Sequence, residues 1–189
     1  GVLPTPGVAF TASSLGAAAG IVISASHNPY YDNGIKIFDN YGYKLSDATE
    51  GLIEDLILKD GPLKKFSEGI RQTGRRVDLL DGEKKYADFL MESVPQGCNF
   101  DEMIIVLDCA NGATYKIAPK LFAGLGASVE ALYTVPDGKN INLECGSQHP
   151  ESLSNRVREL NAQIGLAFDG DGDRLVAVDE RGEVLSGDQ

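Results

Sequence analysis

Hydrophobic positions in this chain come in short runs, some at helical spacing and some alternating or continuous. Residues 5–19 are rich in Ala, Ser and Leu, with Pro6 placed for a first helical turn, so the stretch predicts a helix ended by Gly20. Ile21-Val22-Ile23 has no polar position to mark a wet face and predicts a short buried strand. Ile35-Lys36-Ile37-Phe38 predicts a second strand, with Lys36 its one charged residue. A lone lysine there either faces solvent or points into a site. Ser46 or Asp47 suits the cap of a helix over about 48–59, where Leu52, Ile53, Leu56 and Ile57 form one stripe. Residues 61–82 are polar and basic (Lys64, Lys65, Arg71, Arg75, Arg76) and lose this periodicity. A domain boundary is expected near their end, dividing the chain into 1–79 and 80–189.

A helix is expected over 83–93, with Tyr86, Phe89 and Leu90 on one face. From Met103 strands and helices alternate: strand 103–107 running to Asp108, helix 113–125, strand 129–133, helix 151–160, strand 164–168. Residues 175–186 alternate about a turn at 180–183 and predict a hairpin. This order predicts an α/β fold with mixed, largely parallel sheets flanked by helices. Such sheets bind ligands outside the carboxyl ends of their strands. Three loops leave there: 24–29, 108–112 and 169–174.

Composition adds limits. The apolar share is 42%, ordinary for a globular protein, and no run approaches a membrane span. A formal charge of -11 argues against a general binder of nucleic acid or anionic membrane. It leaves room for a phosphorylated small molecule held by a local basic pocket or a metal. Cys98, Cys109 and Cys145 are odd in number and form no CxxC pair, which suggests reduced thiols and a cytoplasmic protein. Residues 1–6 lack the basic start of a signal peptide. Without an initiator Met, the chain is expected to be a piece of a longer protein.

The chemistry concentrates in two loops. Asp169-Gly170-Asp171-Gly172-Asp173-Arg174 sets three carboxylates at alternating positions after an apolar strand. Without a cation they repel and raise one another's pKa values. The intervening glycines let the loop curl until the oxygens converge, and hard oxygen ligands select Mg²⁺ or Ca²⁺. An EF-hand fails because its sixth position must be glycine and here is Arg174. In the other loop, Ser26 precedes His27. Adjacent residues rarely make a hydrolase pair, and no G-x-S-x-G elbow exists. A capped turn at Asn28-Pro29 is the plain alternative. Taken together, a strand-end serine, a three-aspartate loop and the basic residues Lys36 and Arg174 describe phosphoryl transfer, provided the loops meet. Cys145 and His149 are too few for a zinc site.

Ile23–Pro29 resembles the phosphoserine loop of the α-D-phosphohexomutases, and Asp169–Arg174 resembles their metal loop, in the same order and separation. Residues 30–36, 108–113, 138–142 and 145–147 resemble the bacterial branch that handles glucosamine phosphates. The resemblance covers essentially the whole chain, as the latter part of the first of four domains and all of the second. It implies that Ser26 is the phosphorylated nucleophile. Asp169, Asp171 and Asp173, with the phosphate on Ser26, would hold Mg²⁺. Lys36 and Arg174 would flank the transferring group, with proton transfer among their tasks, and His27 would be a neighbour with a positioning or proton role. The implied reaction interconverts glucosamine 6-phosphate and glucosamine 1-phosphate through a bisphosphate, for UDP-N-acetylglucosamine and peptidoglycan precursor synthesis. A sister reaction on glucose or mannose phosphates is the alternative. The implied partners are a small sugar phosphate, with no nucleic acid or membrane, and third and fourth domains that choose the sugar. A piece of this extent is expected to be nearly inactive alone.

Overall fold

The computed structural model describes residues 1–59 and 74–187. The basic residues Lys64, Lys65 and Arg71 lie outside them. The first segment holds helix α1 (Thr5–Ser14), strands β1 (Gly20–Ser24) and β2 (Gly34–Phe38), and helix α2 (Asp47–Leu58). The second holds α3 (Gly82–Ser93), β3 (Ile104–Asp108), α4 (Ile117–Gly124), β4 (Ser128–Leu132), α5 (Glu151–Leu160), β5 (Ile164–Phe168) and β6 (Leu175–Asp179).

The second segment is built on a four-stranded sheet in the order β4-β3-β5-β6. β3 runs parallel to both β4 and β5, while β6 returns antiparallel beside β5. The expected α/β class, with a mixed and largely parallel sheet, is what forms. Alternate residues of β3 feed two cores. Ile105 and Leu107 join Ala118 and Leu166 on the α4 face, and Val106 joins Leu153, Val157, Ala167 and Val178 on the α5 face. A strand buried on both faces must be apolar throughout, which is why residues 104–107 read as one continuous run. The hairpin after β6 closes at Gly182, with Asp179 and Glu183 hydrogen-bonded through their backbones at 2.9 Å.

Boundaries moved where caps intervened. α1 stops at Ser14 rather than Ala19, because Gly16 enters the left-handed region (φ 60°) and Ala17 N donates back to Ala12 O at 2.9 Å. α4 starts at Ile117 rather than Ala113, whose N–H instead donates to Gly170 O at 2.8 Å across to the carboxylate loop. Ser46, one of the two expected caps, accepts from Thr49 N at 3.3 Å to open α2.

The expectation for β1 needs correction. β1 and β2 form an antiparallel pair with Ile21 opposite Ile37 and Ile23 opposite Ile35. That face is open among the described residues, with Ile21 63% and Ile23 74% exposed. Only the other face, carrying Val22 and Phe38, is buried against α1. The stripe on α2 is likewise exposed. Hydrophobic runs report that a face wants cover, not what covers it.

Between the segments, α3 acts as a bracket. Phe89 stacks on Phe10 of α1 with ring centroids 4.3 Å apart, and Tyr86 is buried beside them. α3 also packs on α4, so the first segment is tied to the sheet through helices.

Candidate active site

β3 and β5 are the two central strands, and each ends in a buried aspartate. Asp108 closes β3 and Asp169 follows β5. Asp108 is fully buried. Its two oxygens accept from Ala110 N and Gly146 N, both at 2.8 Å, tying two loops together. Burial holds its carboxyl above the usual carboxylate range, against those two bonds. By sequence Asp108 reads as no more than a strand-end turn residue, and its work is structural.

Asp169 starts the carboxylate loop. Its Oδ1 accepts from Asp173 N at 3.1 Å and Arg174 N at 3.2 Å, which curls the chain back on itself. One carboxylate oxygen from each of Asp169, Asp171 and Asp173 lies within 4.8 Å of the others. Burial, with the neighbouring charges of Asp171 and Asp173 adding to it, pushes Asp169 up to about 6. Asp171 is also buried, which alone would raise it, but the Lys36 ammonium and the Thr5 hydroxyl hold it below the usual range.

The loop of the first segment meets this one directly. Ser26 Oγ donates to Asp169 Oδ2 at 3.2 Å, across 143 residues of sequence. Ser26 itself is in the left-handed region (φ 52°), an uncommon conformation for serine. Ser24, at the end of β1, holds it there by accepting from Ser26 N at 2.8 Å. Gly170 is pressed against the Ser26 carbonyl so closely that an added Cβ would lie 2.5 Å from that oxygen. Gly112 packs in the same way on Gly170. All three loops expected at the sheet edge therefore touch.

Lys36 is in the site. The alternation of β2 puts it on the face of Val22 and Phe38, and its Nζ binds Asp171 and, at 2.9 Å, Asp173. Those two partners keep the ammonium above its ordinary value although burial opposes them. His27 Nδ1 lies 3.4 Å from Ser26 Oγ, so the two neighbours do touch, but among the described residues no carboxylate orients the ring. Arg174 differs from the rest. Its backbone belongs to the Asp169 turn, yet its side chain is exposed and binds no described residue. Cys145 is buried while His149 is exposed, and they form no metal cluster among the described residues.

Two contributors carried no signal of chemistry in the sequence. Thr5, at the start of α1, donates from Oγ1 to Asp171 Oδ2 at 2.6 Å and from its backbone to Asp171 O at 2.8 Å. Asn142 reaches the Ser26 loop from the second segment. Nothing short of the fold places either there.

The three carboxylates suit a hard divalent cation. Asp171 Oδ1 is buried without a hydrogen-bond partner, an acceptor left over by the protein itself. The α/β scaffold thus sets a serine hydroxyl against a loop of three converging carboxylates. Residues 84–182 match the family described as phosphoglucomutase/phosphomannomutase, alpha/beta/alpha domain II, and residues 1–63 match domain I. The chain belongs to the phosphoglucomutase/phosphomannomutase family. It is 52% identical to a phosphoglucosamine mutase of Syntrophus aciditrophicus and 53% identical to that of Syntrophobacter fumaroxidans, in each case over all of this chain and 42% of the relative. The chain thus spans about two fifths of the length of these curated relatives. A crystal structure of a family member from Burkholderia thailandensis superposes with a TM-score of 0.74 at 28% identity, covering 98% of this chain and 40% of that one.

Proposed function

We propose that this chain is the phosphoserine- and metal-carrying part of a phosphoglucosamine mutase, which interconverts glucosamine 6-phosphate and glucosamine 1-phosphate. The observation that carries this is the meeting of Ser26 Oγ with the carboxylate loop, 3.2 Å from Asp169. The identity of 52% and 53% to phosphoglucosamine mutases, over all of this chain and 42% of theirs, supports glucosamine phosphate as the sugar.

In this reading Ser26 Oγ carries the phosphoryl group. On transfer a bond forms between phosphorus and a sugar hydroxyl oxygen as the P–Oγ bond breaks; the sugar hydroxyl proton passes to a nearby base, and the departing Ser26 Oγ takes up a proton to become the free hydroxyl. The bisphosphate sugar then turns, and its other phosphate returns to Ser26 by the reverse exchange. Asp169, Asp171 and Asp173, with the phosphate on Ser26, would hold Mg²⁺, which supplies Lewis-acid stabilisation of phosphate charge. Lys36 balances Asp171 and Asp173, so the loop keeps its shape despite three carboxylates. The Arg174 guanidinium, bound to no described residue, is placed to take phosphate oxygens, for which its planar fork is suited. His27, beside Oγ, is placed to give or accept the hydroxyl proton.

The division at 79/80 is our own, supported by the gap between the two family matches. Further domains of a longer chain would choose the sugar, and the part described here would show little turnover alone. A small sugar phosphate is the partner, and the setting is cytoplasmic. Among the described residues no helix is long and apolar enough to cross a membrane.

The test is intact mass after incubation with glucose 1,6-bisphosphate and Mg²⁺. One added phosphate is expected, absent in Ser26→Ala. Uptake of phosphate by Ser26→Ala would remove the nucleophile assignment. The full-length protein should then turn over glucosamine phosphate faster than glucose or mannose phosphates; the opposite order would move it to a sister activity.

A further inference from the structure

We infer that Asn142 is a positioning residue that holds the Ser26 loop over the carboxylate loop, an inference that rests on the phosphoryl-transfer reading above. Its side-chain amide donates both hydrogens across the two segments. Nδ2 binds Ser26 O at 2.7 Å and Asn28 O at 2.8 Å, 116 and 114 residues away in sequence. Among the described residues, no other side chain of the second segment bonds to the backbone of residues 24–29. One planar group thus clamps the carbonyls on both sides of His27.

The clamp is anchored at its own end. Asn142 N donates to Ala110 O at 3.0 Å, and Ala110 N is held by the buried Asp108 carboxylate at 2.8 Å. Asn142 has φ 57°, a region that asparagine enters more readily than most residues. On the far side Gly170 closes against the same Ser26 carbonyl. The Ser26 carbonyl is therefore caught between an amide and a backbone, which fixes the left-handed turn that aims Oγ at Asp169. Transfer rates fall steeply when a reacting atom is displaced by about 1 Å, so releasing this carbonyl acts on the phosphoryl step, not on ligand binding.

The experiment compares the full-length protein with Asn142→Asp and Asn142→Gly. Aspartate keeps the size and tolerates the backbone conformation but has no N–H to donate. Glycine accepts φ 57° freely and removes the side chain. Loading of phosphate onto Ser26 from glucose 1,6-bisphosphate is timed by intact mass, alongside thermal melting. Both variants should melt near the wild-type temperature and load about 10- to 100-fold more slowly at saturating bisphosphate, with the half-saturating concentration unchanged. Wild-type loading rates in both variants overturn the inference. Slow loading accompanied by a collapsed melting transition also overturns it, because the residue then serves folding. If the wild type itself takes up no phosphate, the phosphoryl-transfer reading falls first and this inference with it.

Discussion

At the scale of single residues, buried carboxylates divide by what satisfies them. Asp108 spends both oxygens on backbone N–H groups, whereas Asp171 keeps one oxygen unpaired beside two further aspartates. The first is a fastener, and the second keeps an acceptor to spare. Asp108→Asn would keep the shape but turn an amide donor toward one of the two N–H groups. A loss of about 1–3 kcal/mol of stability is expected, read by urea or thermal unfolding. An unchanged transition would mean that the loops do not depend on this clamp. Lys36 shows how far a single position was legible. The sequence marked it as odd inside an apolar strand, where a lone lysine is more often simply exposed. Pairing with β1 decided it, because Lys36 stands opposite Val22 on the covered face.

At the scale of elements, burial sorts helices that look alike in sequence. α5 places Leu153 and Val157 with no exposure against β3 and β5. α2 carries an equally apolar stripe, yet none of its residues is buried. Leu153→Ala should therefore cost about 2–5 kcal/mol, by loss of transfer energy plus the cavity left. The same measurement on Leu52→Ala, 65% exposed, should show little change in this chain. Equal losses would show that α2 is covered in solution. Element type was readable for every described helix and strand, because period 3.6 and period 2 are local properties. Ends were less so: α1 ends early at a bond from Ala17 back to Ala12, which does not follow from periodicity, and α4 begins four residues later than its apolar run.

At the scale of the whole molecule, the site exists only where the segments join. Ser26 and Lys36 come from the β1–β2 unit, Thr5 from α1, and the aspartates from the end of β5. A cation binding there should stabilise the folded chain by mass action, about 2.7 kcal/mol at a hundredfold excess over its dissociation constant. Added Mg²⁺ is accordingly expected to raise the melting temperature of the wild type but not of Asp171→Asn. Equal rises in both would place the ion elsewhere.

By itself the sequence determined the α/β class, the strands and helices, and the two loops where chemistry gathers. Hydrophobic period and residue type are local, so a single chain displays them. The tertiary structure alone decided that Ser26 meets Asp169, that Lys36 turns inward, and that Thr5 and Asn142 reach the two loops. These are contacts between residues more than a hundred positions apart, set by sheet register and by the packing of α3 between two segments. No pattern along the chain encodes such a distance.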